Sequence, residues 1–177
     1  MTQSLFARTL PASRAAGTLL TVAAGVTAAV LFGPQLLQSV LHVTPHAPDV
    51  PLFMAQPAVI KVHMLAAIFG VGLGATILSL RKGNTLHRTL GWTWTLFMAT
   101  TAASSLFIVG LNGDHWSLIH LLSGWTLLVL PFAVRAARKH DVKSHRRAMT
   151  GLFWGASIVA GAFTFLPGRL MWQLFFG

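Results

Sequence analysis

Long apolar stretches alternate along the chain with short polar breaks, and the stretch lengths are the first clue to its architecture. Apolar runs cover about residues 15–41, 58–80, 86–111, 116–134 and 145–166. About 20 helical residues are needed to cross the hydrocarbon of a bilayer, and every run is of that order. The breaks carry helix-stopping or charged residues. Residues 42–57 hold four prolines and neither Lys nor Arg, which predicts an extended external loop. Residues 81–85 are short and basic, Asn112-Gly113-Asp114 predicts a tight turn, and residues 135–143 are basic again. Pro167-Gly168 interrupts the last run before a short apolar tail.

This pattern predicts an all-α integral membrane protein with five transmembrane helices, the last four forming a pseudo-two-fold four-helix bundle. Residues 1–57 supply a polar tail, the first helix and the proline-rich loop. Residues 58–177 form the membrane core and carry two repeats, 58–111 and 116–170. The first run is longer than the apolar core of a signal peptide, about 7–15 residues, and no A-x-A-like site ends it. It is therefore expected to be a retained helix, with Gly33-Pro34 as a kink.

Composition agrees. The chain is 54% hydrophobic and 9% charged, against about 25% charged in soluble domains, and its mean hydropathy is +0.68. A net charge of +10 would suggest nucleic acid in a soluble protein, but these cations sit in short loops and no separate basic domain exists. Nucleic acid is excluded, and a bilayer with anionic headgroups is the expected partner. Counting each loop with the His-Arg motif that follows it, the N-terminus and the second-to-third and fourth-to-fifth loops carry 2, 3 and 6 Lys or Arg, and the other two loops carry none. The positive-inside rule then puts the N-terminus in the cytoplasm and the C-terminus outside. Lys61 and Arg169 are the two cations of thirteen on the outer side.

The absent chemistry is informative too. There is no Cys, and the only acids are Asp49, Asp114 and Asp141, so paired-carboxylate hydrolysis and all-oxygen metal cages lack their parts. Ser104, Ser105 and Ser123 have no nearby acid to orient a His for a catalytic triad.

What remains is histidine in a repeat. Thr85-Leu86-His87-Arg88-Thr89-Leu90-Gly91-Trp92 is echoed by Ser144-His145-Arg146-Arg147-Ala148-Met149-Thr150-Gly151. His63 precedes His87 by 24 residues, and His120 precedes His145 by 25. His63 and His120 each lie 18 residues before a basic pair, Arg81-Lys82 and Arg138-Lys139. Each copy holds two spans, so the copies run parallel and are related by an axis along the membrane normal. That axis sets the second helix opposite the fourth and the third opposite the fifth. Equivalent residues share a depth: His63 and His120 near the outer face, His87 and His145 at the inner one.

Two imidazoles on facing helices suit bis-His haem b. One or two haems would be held by His63 with His120 and by His87 with His145. Arg88, Arg146 and Arg147 stand ready for propionates on the inner side, and Lys61 or Arg169 on the outer. Small residues one or more turns from these histidines (Ala67, Gly70, Gly74, Gly91 and Gly124) allow close approach of a planar group or a neighbouring backbone. Trp94 shares the face of His87 and offers an edge to haem or quinone, with core packing as its simpler role. His42, His46 and Met54 in the outer loop, with His63 and Met64 below, have the ligand types for copper but match no closed site.

The helix order and the pairing of alternate helices resemble the ascorbate-reducible transmembrane b-type cytochromes, in which each of four core helices supplies one axial His. In sequence the chain resembles an uncharacterised bacterial family of predicted multi-pass membrane proteins. That likeness rests on Leu86-His87-Arg88-Thr89-Leu90-Gly91-Trp92, the Asp141-to-Met149 run, and Leu166-Pro167-Gly168-Arg169, and spans roughly residues 58–172. It implies a bacterial inner-membrane location and no reaction. The expected function is transmembrane electron transfer through haem, with quinone or a redox protein as partner. The alternatives are a transporter or proton-coupled carrier whose histidines titrate near neutral pH, and a non-catalytic accessory subunit.

Overall fold

The computed structural model describes residues 43–109 and 117–176, with Gly33, Pro34 and Gln38. The rest of the expected first membrane helix, His42 and the Asn112-Gly113-Asp114 turn lie outside the described residues. Residues 1–45 and 46–177 are two compact units, and the second holds all four histidines of the repeat.

Every element of that second unit is helical, with no strand among the described residues. A short helix, α1 (Val50–Ala55), precedes α2 (Ala58–Ser79), α3 (Thr85–Ser105) and α4 (Leu118–Arg138). Then α5 (Val142–Gly151) widens into a π-helical segment (Leu152–Val159) and closes with α6 (Ala160–Phe163). The chain ends in α7 (Leu170–Phe176).

Local chemistry sets these boundaries. The Asn84 side chain accepts from the His87 backbone N–H at 2.8 Å and starts α3; Asp141 accepts from the Ser144 N–H at 3.0 Å and starts α5. Just before each cap the backbone turns left-handed, at Gly83 (φ 85°) and at His140 (φ 59°). Glycine takes that conformation without a Cβ penalty, whereas His140 adopts it against one.

One expectation needs correction, and another is filled in. Residues 42–57 are not wholly extended, because Asp49 accepts from the Leu52 N–H at 2.8 Å with Pro51 in the first turn and nucleates α1. The apolar tail is the helix α7, and it is tied to this loop by bonds from His46 N–H to the Phe175 carbonyl (3.1 Å) and from Asp49 N–H to that of Leu174 (3.0 Å).

Packing runs α2 on α3, α3 on α4 and α4 on α5, and the π-helical segment touches both α2 and α4. The buried centre is Trp94, Met98, Leu130, Leu152 and Phe153. Gly74 makes room for it: a Cβ there would lie 2.6 Å from Trp94 Nε1 and 2.6 Å from the Phe153 ring. The wide turns of the π-helix let Leu152, Phe153 and Ser157 face inward together. Gly74 thus admits an aromatic core rather than a ligand.

Polarity is arranged inside out. On α4 the buried residues are His120, Ser123, Thr126, Leu130 and Ala133. The exposed stripe is Leu118, Leu121, Trp125, Leu128 and Phe132, with Leu118 85% exposed. A water-soluble helix puts its apolar stripe on the core and its polar groups outside. α2 and α4 are long and apolar enough to cross a membrane. α3 has the length, but carries His87, Arg88 and several Thr and Ser.

Candidate functional site

The structure brings His87 and His145 together from the starts of α3 and α5. Their ring centres are 6.4 Å apart and their planes cross at 88°. The His145 Nδ1 lies 3.0 Å from the Ala133 carbonyl on α4. A carbonyl only accepts, so Nδ1 carries the proton and the lone pair is on Nε2. This is the second-sphere arrangement that fixes a ligating imidazole. The His87 Nδ1 is buried and has no hydrogen-bond partner within the protein.

These dimensions can be tested against a shared metal. Imidazole nitrogens bind metals at about 2.0–2.1 Å, so two rings on opposite sides of one ion have centres about 6 Å apart. The observed 6.4 Å is of that size. Among the described residues no three His, Cys, Asp or Glu side chains gather to hold an ion, so a site with three or more such ligands is not formed there.

The other two histidines are engaged differently. On α2, the His63 Nδ1 reaches the Thr101 carbonyl of α3 at 2.9 Å and the Ser104 hydroxyl at 3.1 Å. Its Nδ1 is protonated by the same argument, which leaves Nε2 as its acceptor. His120 turns back on its own helix start and accepts the Ser117 backbone N–H on Nδ1 at 3.0 Å. That bond is a capping box with His in the usual Glu position. Its proton therefore resides on Nε2, the opposite tautomer to His63 and His145.

The arginines stay at the surface. Arg88 and Arg146 are exposed, each next to its histidine in sequence, and Arg169 is exposed at the start of α7. Other groups complete the interior. The Ser123 hydroxyl donates to Ser105 Oγ at 2.9 Å, joining α4 to α3. The Ser157 hydroxyl reaches Met98 Sδ at 3.2 Å, joining the π-helical segment to α3.

Sequence reading misses one feature. His87 Nδ1, Trp94 Nε1 and Thr101 Oγ1 are all buried without a hydrogen-bond partner. They recur every seven residues, so they lie on one inward stripe of α3 about 10 Å apart along its axis. The seven-residue spacing is the available signal, but a Thr in an apolar run does not announce an unsatisfied hydroxyl.

No protein-family model, curated protein or solved structure matches this chain.

Proposed function

We propose that this chain is a membrane b-type cytochrome-like protein that carries electrons through haem held between His87 and His145. The 6.4 Å, near-perpendicular approach of the two imidazoles carries the proposal. It is supported by the Ala133 carbonyl, which leaves His145 Nε2 as the ligating nitrogen. Haem b bound there would supply a one-electron couple. The protein's part is to hold the two rings, with Arg88 and Arg146 close in sequence as propionate partners. Quinone, or a redox protein, is the partner class that fits such a couple.

The same reading places five helices across a bacterial inner membrane, N-terminus inside, the last four as a bundle. Support comes from the two long apolar helices, the inside-out polarity of α4, and the loop charges. The packing of α2 on α3, α3 on α4 and α4 on α5, with the π-helical segment against α2 and α4, supports a bundle with α2 opposite α4 and α3 opposite α5. The inner pair is the preferred site. A second haem at His63 and His120 would require His120 to give up the Ser117 N–H and change tautomer.

The test is spectroscopic. After expression with ample haem, the detergent-purified protein is expected to show a Soret band and a dithionite-sensitive low-spin spectrum. Near-perpendicular imidazole planes give a strongly anisotropic low-spin EPR line; parallel planes give a rhombic one. The absence of a Soret band would sink the reading, and so would a low-spin signal that survives combined His87→Ala and His145→Ala.

A second reading draws on the α3 stripe. Three unpartnered polar atoms spaced along a membrane helix offer stations for water, and a histidine at one end would serve a proton-coupled carrier. Proton flux into proteoliposomes from haem-free protein, lost in Thr101→Val, would favour that reading.

A further inference from the structure

A groove of about 660 Å³ lies between α3 and α4 at the end that carries the basic loops. Its apolar side is formed by Trp92, Thr95, Leu130 and Pro131, and its rim by Arg135, Arg138 and Lys139. All three rim cations are exposed, and the Arg138 guanidinium carbon sits 5.7 Å from the centre of the Trp92 ring. No carboxylate lines the groove. Asp141, two residues beyond Lys139, is already committed to the Ser144 N–H. Three positive charges therefore share one edge of an apolar furrow with no carboxylate among the described residues that line it.

Pro131 also shapes the groove wall. It has no N–H to offer the Leu127 carbonyl, and both residues line the groove. That carbonyl therefore lacks its usual helical donor four residues on. Cationic rim and apolar wall match a molecule with an anionic head and hydrocarbon tails.

We infer that this groove is a binding site for one anionic phospholipid. Its phosphate sits among Arg135, Arg138 and Lys139, and an acyl chain lies along Thr95, Leu130 and Pro131. The inference rests on the membrane placement proposed above but not on haem. General attraction of anionic lipid to basic loops acts at every cation on this side; a built site acts at these three and needs the furrow beneath them.

The experiment uses the full chain in nanodiscs of mixed phosphatidylglycerol and phosphatidylcholine, released into the gas phase for native mass spectrometry. Wild type is expected to retain one phosphatidylglycerol in preference to phosphatidylcholine. Arg135→Gln with Arg138→Gln should lower that retention at least five-fold. The charge-matched control, Arg81→Gln with Lys82→Gln, should leave it within two-fold. Thr95→Phe, which fills the furrow and keeps every charge, should lower it like the rim variant. Equal loss in rim and control variants would reduce the effect to bulk attraction and overturn the site. Full retention in Thr95→Phe would overturn it too, as would no preference in wild type. Alkaline carbonate washing of membranes is the separate check on placement: release of the chain would overturn the membrane reading itself.

Discussion

The two hairpins, α2–α3 and α4–α5, keep one register at a few landmark residues until they reach the inner histidines. An offset of 57 relates His63 to His120, the left-handed Gly83 to His140, and the cap Asn84 to Asp141. Both caps hold the N–H three residues on, His87 in one and Ser144 in the other. The next step breaks the match, since the second inner histidine is His145 and not residue 144. One residue is a turn of about 100° around a helix. His87, third after its cap, has a buried Nδ1 with no partner, whereas His145, fourth after its cap, reaches the Ala133 carbonyl. The slip makes two otherwise equivalent positions unlike, one fixed by a neighbour and one unsatisfied. The outer pair differs as well: His63 bonds across its hairpin, and His120 bonds to its own helix start.

The largest effect should separate inner from outer histidines. His145→Ala removes the anchored ligand of the proposed haem site and is expected to cut the low-spin haem signal at least ten-fold. His120→Ala leaves that pair intact and should keep more than half of it. Equal losses in the two variants, measured as haem per protein in detergent, would remove the distinction between the layers.

The glycines sharpen the same comparison in stability. An added Cβ at Gly74 lands on Trp94 and Phe153, whereas one at Gly124 meets nothing within 4 Å. Gly74→Ala should destabilise by about 1–3 kcal/mol through overpacking. Gly124→Ala should be neutral or stabilising by up to about 1 kcal/mol, because alanine is the better helix former. Thermal unfolding in detergent reads both, and a lower midpoint for Gly124→Ala than for Gly74→Ala would contradict the packing. Ser104→Ala removes one partner of His63 but leaves the Thr101 carbonyl. Its expected cost is smaller, about 0.6 kcal/mol, typical of membrane hydrogen bonds.

Much of this arrangement is legible in the chain. The apolar runs place α2, α3 and α4 to within a few residues at most ends, and the His spacing anticipates that His87 and His145 meet. The partners that distinguish the histidines are not legible, because the Thr101 and Ala133 acceptors are backbone carbonyls, which every residue has. The π-helical segment is hidden for another reason. Residues 152–159 are almost wholly apolar, so no polar face marks the change of period. α1 is obscured by prolines that suggest extension, although Asp49 before Pro51 is a helix-start signal. Gly74 offers space for a planar group when only the sequence is considered, and the protein's own rings take that space.

The smallest effect tests the caps, where the hairpins differ in one ionisable atom group. Asp141 is fully exposed, and hydrogen bonds from the Ser144 hydroxyl and then its backbone N–H hold its carboxyl below the usual aspartate range. Folding therefore favours the ionised form. The cap's contribution to α5 is complete above the ordinary aspartate pKa and fades as pH falls through the lower folded value, below about pH 4. Asn84 makes the same bond to α3 without a titrating group. Acid should accordingly loosen the start of α5, and with it the seat of His145, while α3 keeps its cap. Hydrogen exchange of the Ser144 and His87 amides between pH 6 and pH 3, corrected for intrinsic rates, is the measurement. Protection should drop at Ser144 alone, by a few-fold, and Asp141→Asn should remove that dependence. Parallel loss at both amides, or an unchanged profile in Asp141→Asn, would place the acid sensitivity elsewhere than in the one cap that titrates.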